Sequence, residues 1–292
     1  MMAWTKAKTT TAVAVAVILM CGATFVVLFL KARSAQYHAL SAQAYTRSNT
    51  SKPEYQTVLA NLRTSVWPKE RKLAEAKIAA RQKVADTVNA TTIDLKPYVN
   101  AALTDSPASP AGNDDNNLAD LPSGVNVYGG VPFDVEGLIQ LNGRALISVF
   151  HKDFPVEVDG IAIHRRCAKI YLLHAGDWID VTDFGKIVAK LVLHYEDGNQ
   201  RQIDIVAGRD VSEFWSPLFT TGVDPGYSRM SPDTELAWTG SNRYQRKIWP
   251  DESLVLYKSA FANPQPDLTV STVDYVSTMT ATAPFLAGLT VE

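Results

Sequence analysis

A chain of 292 residues, 46% of them hydrophobic and 20% charged, has room for one or two domains with cores of their own, and its net charge of −2 offers no basic excess for nucleic acid. The balance hides an asymmetry: residues 1–103 carry 14 Lys and Arg against 5 Asp and Glu, and the remainder carries 14 against 25. A basic part precedes an acidic one, and Cys21 and Cys167, the only cysteines, lie too far apart in character and position to suggest a disulfide.

Residues 1–8 form a short N-terminal tail, too few to fold. Thr9–Leu30 contains no charged residue, and its core from Ala12 reads AVAVAVILMCGATFVVLFL. As a helix that core would span roughly 28 Å at about 1.5 Å per residue, close to the ~30 Å hydrocarbon layer of a bilayer. It is apolar on every side, so lipid is its natural solvent. Lys6 and Lys8 before it, and Lys31 and Arg33 after it, can reach the headgroups. The expectation is a single transmembrane helix with the bilayer as its partner. A signal peptide cleaved after Ser34 is the competing reading, although its apolar run is usually only about 7–15 residues. Positive charge is nearly equal on both flanks, so the positive-inside rule barely chooses an orientation.

Residues 31–103 read as a helical stalk, rich in Ala, Glu, Gln, Lys and Arg, with Pro68 dividing it. Leu73, Ala80, Val84 and Val88 make a thin apolar stripe that could support weak self-association. Residues 104–124, rich in Pro, Ser, Asn, Asp and Gly, read as a flexible acidic linker. Their Asp114-Asp115 pair lacks the carboxylate alternation, glycine and glutamate of a calcium-binding loop.

From 125 to 292 the texture changes to short alternating runs between turn residues. Strands are expected near Gly137–Asn142, Phe154–Ile161, Ala168–Ala175, Ile187–Tyr195, Gln200–Ala207, Glu235–Thr239, Ser253–Ala260, Leu268–Val276 and Pro284–Val291. Glu196-Asp197-Gly198-Asn199 reads as the strongest hairpin signal. Ile187, Ala189, Leu191 and Leu193 are expected on one face of the arm leading into it. With no long helix among these strands, the fold class is mainly β: an antiparallel, jelly-roll-like β-sandwich preceded by the transmembrane helix and stalk.

Three runs carry a resemblance: Gly130-Val131-Pro132-Phe133-Asp134, then Lys169-Ile170-Tyr171-Leu172-Leu173-His174-Ala175, then Leu193-His194-Tyr195-Glu196-Asp197-Gly198. With Val273-Asp274-Tyr275-Val276-Ser277 and Ala283-Pro284-Phe285-Leu286-Ala287, region 125–292 resembles a galactose-binding-like (discoidin/NPCBM-type) sandwich. The resemblance implies binding of carbohydrate or another envelope ligand. It rests on core and turn residues, which speak to fold more than to function.

No nucleophile elbow, phosphate-binding loop or dinucleotide fingerprint occurs, so no catalytic residue, cofactor or metal ligand is assigned and an enzyme is not expected. His151, His164, His174 and His194 match no zinc spacing, and His174 and His194 read as hydrogen-bonded core residues. Asp177, Asp180 and Asp183 read as a solvated acidic loop in preference to a calcium site. Aromatics are the better lead. Trp178, Trp215, Trp238, Trp249 and Tyr244 fall in or beside loops, with Trp215 and Trp238 expected as core fillers. An exposed indole can stack on a sugar while nearby amides and cations hold its hydroxyls. On that ground Trp178, Asn242, Arg243 and Tyr244 are the candidate ligand-binding residues. The functional expectation is a single-pass membrane protein displaying a non-catalytic sandwich outside the cytoplasm, binding glycan or another envelope ligand. A membrane-anchored protein-interaction scaffold is the alternative.

Overall fold

The computed structural model describes residues 90–106, 115–180, 182–216, 230–248 and 253–292. Thr9–Leu30, the stalk up to residue 89 with its Leu73–Val88 stripe, the middle of the linker and Trp249 lie outside the described residues. Among the described residues no helix is long and apolar enough to cross a membrane.

Thirteen strands are present among the described residues: β1 (Thr91–Thr92), β2 (Gly124–Tyr128), β3 (Val131–Val135), β4 (Ile139–Gln140), β5 (Glu157–Arg166), β6 (Lys169–Asp177), β7 (Ile187–Tyr195), β8 (Gln200–Val206), β9 (Trp215–Ser216), β10 (Thr234–Gly240), β11 (Ser253–Ala262), β12 (Thr269–Ser277) and β13 (Ala283–Val291). One short helix, α1 (Arg243–Ile248), accompanies them, with a single 3-10 turn at Lys96–Tyr98 and a π-turn at Leu146–Phe150. The larger sheet runs β1-β13-β6-β11-β10, with β4 on β13 and β9 on β11; the second runs β5-β12-β7-β8. Every ladder between these strands is antiparallel.

The two sheets enclose a core that includes Ile161, Leu172, Leu191, Leu193, Val273 and Leu289. A second core, including Phe133, Val135, Tyr171, Leu173, Leu256 and Phe285, forms beneath the β2–β3 hairpin. The larger sheet is thus covered on both faces. β6 shows why its sequence is apolar throughout: Ile170 and Leu172 enter the first core while Tyr171, Leu173 and Ala175 enter the second. β13 does the same, and a register shift between Leu286 and Gly288 changes which parity faces which core. Gly288 lets the second layer close, because a Cβ there would stand 3.0 Å from Phe133.

Most expected strands coincide with observed ones, and Ile187–Tyr195 matches to the residue. Three differences have physical causes. The strand expected at Phe154–Ile161 begins at Glu157 and continues to Arg166, with Gly160 (φ 69°) and His164 (φ 49°) in left-handed conformations that break simple alternation. In β7, Ala189, Leu191 and Leu193 face the core as expected, but a bulge between Ile187 and Ala189 buries Val188 and leaves Ile187 at 36% exposure. The hairpin β2–β3 was not expected as such. Its turn, Gly129-Gly130, takes positive φ at both positions (56° and 77°), the conformation that a two-residue connection demands. At the β7–β8 turn only Gly198 does so (φ 85°), and Asp197 accepts the Asn199 N–H at 2.9 Å.

The boundaries also move. Residues 90–103, read from composition as the end of the stalk, pack into the sandwich. Thr91 and Thr92 pair with Val291 and Thr290, and Ile93 and Leu95 enter the first core. The Tyr98 hydroxyl donates to Gly160 O at 2.8 Å and accepts Ala162 N–H at 3.0 Å, tying this segment to β5. In the region read as linker, Leu118 and Leu121 are buried at 3% and 2% exposure. Two leucines spaced like these anchor a loop despite its polar composition.

Candidate functional site

One end of the larger sheet gathers polar groups that the core cannot absorb. β6 ends at Asp177, and the segment 212–214 runs beside it: Gly176 N–H donates to Ser212 O at 3.1 Å and Phe214 N–H to Gly176 O at 3.0 Å. This bridge sets Glu213 against the end of β6. Gly176 also leaves room for Ile179 to fold back over the strand end, since a Cβ there would meet Ile179 Cδ1 at 2.6 Å.

Glu213 receives backbone donors, Ile179 N–H at 2.7 Å and Trp215 N–H at 3.4 Å. Asp177 is buried and takes the backbone and indole N–H groups of Trp178, while its Oδ2 has no hydrogen-bond partner among the described residues. Removal from water pushes Asp177 up to about 8, against the restraining Trp178 donors. The same desolvation, reinforced by the neighbouring Asp177, holds Glu213 well above the usual carboxylate range.

Asp177 forms part of the wall of a recess of about 20 Å³, room for roughly one water. Asp105, Asn116, Asn117 and Gln140 supply its other polar walls, and Leu118, Leu138, Phe214 and Phe285 its apolar ones. Gln140 is held from behind: its N–H donates to Asn100 Oδ1 at 2.8 Å, and the Asn100 amide donates to Gln140 O at 2.9 Å.

The four sequence candidates reach this end from two sides. Trp178, 36% exposed, sits next to Asp177 with φ 67° and lies 5.8 Å from the Phe150 ring. A left-handed tryptophan is an uncommon conformation, sustained here by donors on both its backbone and its ring. Asn242 is buried at 4% exposure and does two structural jobs. Its Oδ1 accepts Gln245 N–H at 2.6 Å, capping α1, and its Nδ2 donates to Asn116 Oδ1 and Asn117 O, both at 3.0 Å. It therefore acts behind the recess wall instead of in contact with solvent. Arg243 is extended into solvent, with a loose 3.7 Å ion pair to Asp115. Tyr244 stacks edge-on against Trp215 at 5.8 Å, and its N–H donates to Asp115 O at 3.3 Å. Trp215 and Trp238 are partly buried against the second core, in line with their reading as fillers.

Of the histidines, His174 is a core residue at 1% exposure, bonded to Asp210 O and Ser259 Oγ, and burial lowers it to about 3 against the Asp210 hydrogen bond. His194 departs from expectation. It lies half-buried on the outer face of the second sheet, 2.5 Å from Asp274 and 2.9 Å from Gln200. In the acidic loop, Asp180 accepts from Thr182 and Asp183 pairs with Lys186 at 2.8 Å. Among the described residues no three His, Cys, Asp or Glu side chains gather where they could hold a metal.

Sequence reasoning placed Asp177 in a solvated loop and passed over Glu213, Gln140 and Asn116. The available signal was Asp177 at the end of an apolar run, Lys169–Asp177, whose length already implied burial on both faces. Comparison with protein-family models, with curated proteins and with solved structures found no match.

Proposed function

We propose that this chain displays a non-catalytic, galactose-binding-like β-sandwich that binds carbohydrate at the recess end, held at a membrane by Thr9–Leu30 with the sandwich outside the cytoplasm. The observation that carries the reading is that the partly exposed Trp178, whose indole and backbone N–H groups donate to Asp177, adjoins a recess lined by Asn116, Asn117, Gln140 and Asp177. A ring face for stacking beside amide and carboxylate groups for hydroxyls is the chemistry sugar recognition uses. The test is a glycan array probed with the full chain in detergent, paired with alkaline carbonate extraction and protease accessibility on intact cells. Reproducible glycan hits that Trp178→Ala removes are the expected result; an array without hits rejects the ligand class. Release of the uncleaved chain into the aqueous fraction rejects the anchor.

Protein-partner binding is the second reading, favoured by one feature. Ile147 and Val149, at 43% and 41% exposure, stand on the π-turn whose Phe150 meets Trp178. Co-purification of one stoichiometric protein, lost in an Ile147→Ser, Val149→Ser variant, is its signature.

A further inference from the structure

Asp177 is an acid with no counter-ion among the described residues. Its side chain is nine-tenths buried, at 9% exposure, Oδ2 has no hydrogen-bond partner, and Glu213 adds a second carboxyl beside it. Among the described residues no Lys, Arg or His forms an ion pair with either acid. The cations of the adjoining loops are engaged with other carboxylates: Lys186 with Asp183 at 2.8 Å, Arg243 with Asp115 at 3.7 Å and Arg246 with Asp120 at 3.9 Å. A buried acid left this way costs stability unless it stays protonated or meets a positive donor.

The recess beside it selects among donors. Its volume of about 20 Å³ suits one water-sized group. Asp105, Asn116, Asn117 and Gln140 line that space with polar side chains and Phe214 and Phe285 with apolar surface; Asp105, Asn116 and Asn117 already accept from Ala102, Asn242 and Ala119, so Asp177 Oδ2 is the acceptor left for a donor. A hydroxyl brings one donor and no charge. A primary ammonium is of similar size, brings three donors and no acceptor, and carries the positive charge that an ionised Asp177 would pair with. A hard divalent ion asks for about six or more oxygen ligands, and no cluster of three His, Cys, Asp or Glu exists among the described residues. We infer that the recess beside Asp177 is a subsite for a primary ammonium group, so that the carbohydrate bound at this end is an amino sugar with its amine free. The inference rests on the carbohydrate reading of this end for the identity of the ligand, and on Asp177 alone for the ammonium.

The full chain in detergent micelles, labelled with ¹⁵N at the tryptophan indoles, separates the two. The Trp178 resonance is assigned with Trp178→Phe, and glucosamine, N-acetylglucosamine, glucose, n-propylammonium and Ca²⁺ are titrated in turn. Glucosamine and n-propylammonium are expected to shift that resonance saturably. The Kd for glucosamine should be lower than for glucose or the acetylated sugar by about tenfold or more, the worth of one charge-assisted hydrogen bond. Asp177→Asn should erase that preference, and Glu213→Gln, which leaves Asp177 in place and replaces a carboxyl held in its neutral form by a neutral amide, should keep it. Equal affinities for the three sugars, or a preference that survives Asp177→Asn, overturn the ammonium subsite and leave the carbohydrate reading standing. An Asp177-dependent response to n-propylammonium without any response to sugars upholds the subsite and sinks the carbohydrate reading. A response to Ca²⁺ alone, or to no probe, overturns the inference.

Discussion

Replacing Asp177 with Asn should stabilise the sandwich, and the gain should depend on pH in a defined direction. Asp177 rises from 3.8 to about 8 on folding, chiefly by desolvation. The folded state therefore holds its proton more tightly than the unfolded state does. Its contribution is fully present below the unfolded value, drains as pH climbs toward 8, and is flat above that. A rise of about four pH units at about 1.4 kcal/mol each sets a ceiling of roughly 6 kcal/mol. Water entering the adjacent recess screens the carboxylate, so about 2–3 kcal/mol is the expected difference between pH 5 and pH 8. Asparagine keeps an acceptor for the Trp178 donors and titrates nowhere in this range. Urea unfolding of both proteins at pH 5, 6.5, 8 and 9, followed by tryptophan fluorescence, measures the effect. The Asp177→Asn variant should gain on the parent steadily from pH 5 to 8 and hold its lead at pH 9. Parallel stability curves over that range would show that Asp177 is hydrated and would refute the assignment of a desolvated acid.

Three further outcomes follow from named contacts. Tyr275 is fully buried and its hydroxyl has no hydrogen-bond partner, so Tyr275→Phe should stabilise by about 1–2 kcal/mol in the same urea assay; a loss of stability would reveal a hidden partner. Asn242→Ala removes the cap on α1 and both bonds to the 116–117 loop, and should cost about 2–3 kcal/mol, with faster amide exchange at Asn116 and Gln245. Gly288→Ala sets a methyl 3.0 Å from Phe133 and should cost about 1–3 kcal/mol, recovered in part by Phe133→Leu.

How far the fold could be read depended on where alternation survived. β7 and β8 are legible because Leu191, Leu193 and Ile205 face the core while Lys190 and Asp204 remain on the outer side. β6 and β13, covered on both faces, gave continuous apolar runs whose extent was readable but whose two destinations were not. β1 is two residues long and exists only because β13 offers it an edge, a dependence no local composition reveals. The Gly129-Gly130 hairpin falls outside the expected strands, although a Gly-Gly pair between short apolar runs is a hairpin signal and Pro132 within β3 weakens it. The site was harder still. Trp178 was singled out by its chemistry, but Asp177 and Glu213 lie 36 positions apart and meet only through the bridge from Gly176. Asn242 looked like a ligand contact because a cap and a contact use the same amide.

The placement of β13 has a consequence for biogenesis. It lies between β1 and β6, so the latest strand of the sandwich is inserted inside the larger sheet and pairs with β1, from nearly the other end of the described chain. A nascent polypeptide that has emerged only as far as β12 presents one edge of β6 bare, with Leu286 and Leu289 missing from one core and Phe285 and Ala287 from the other. Such topologies fold slowly and expose sticky intermediates while they wait.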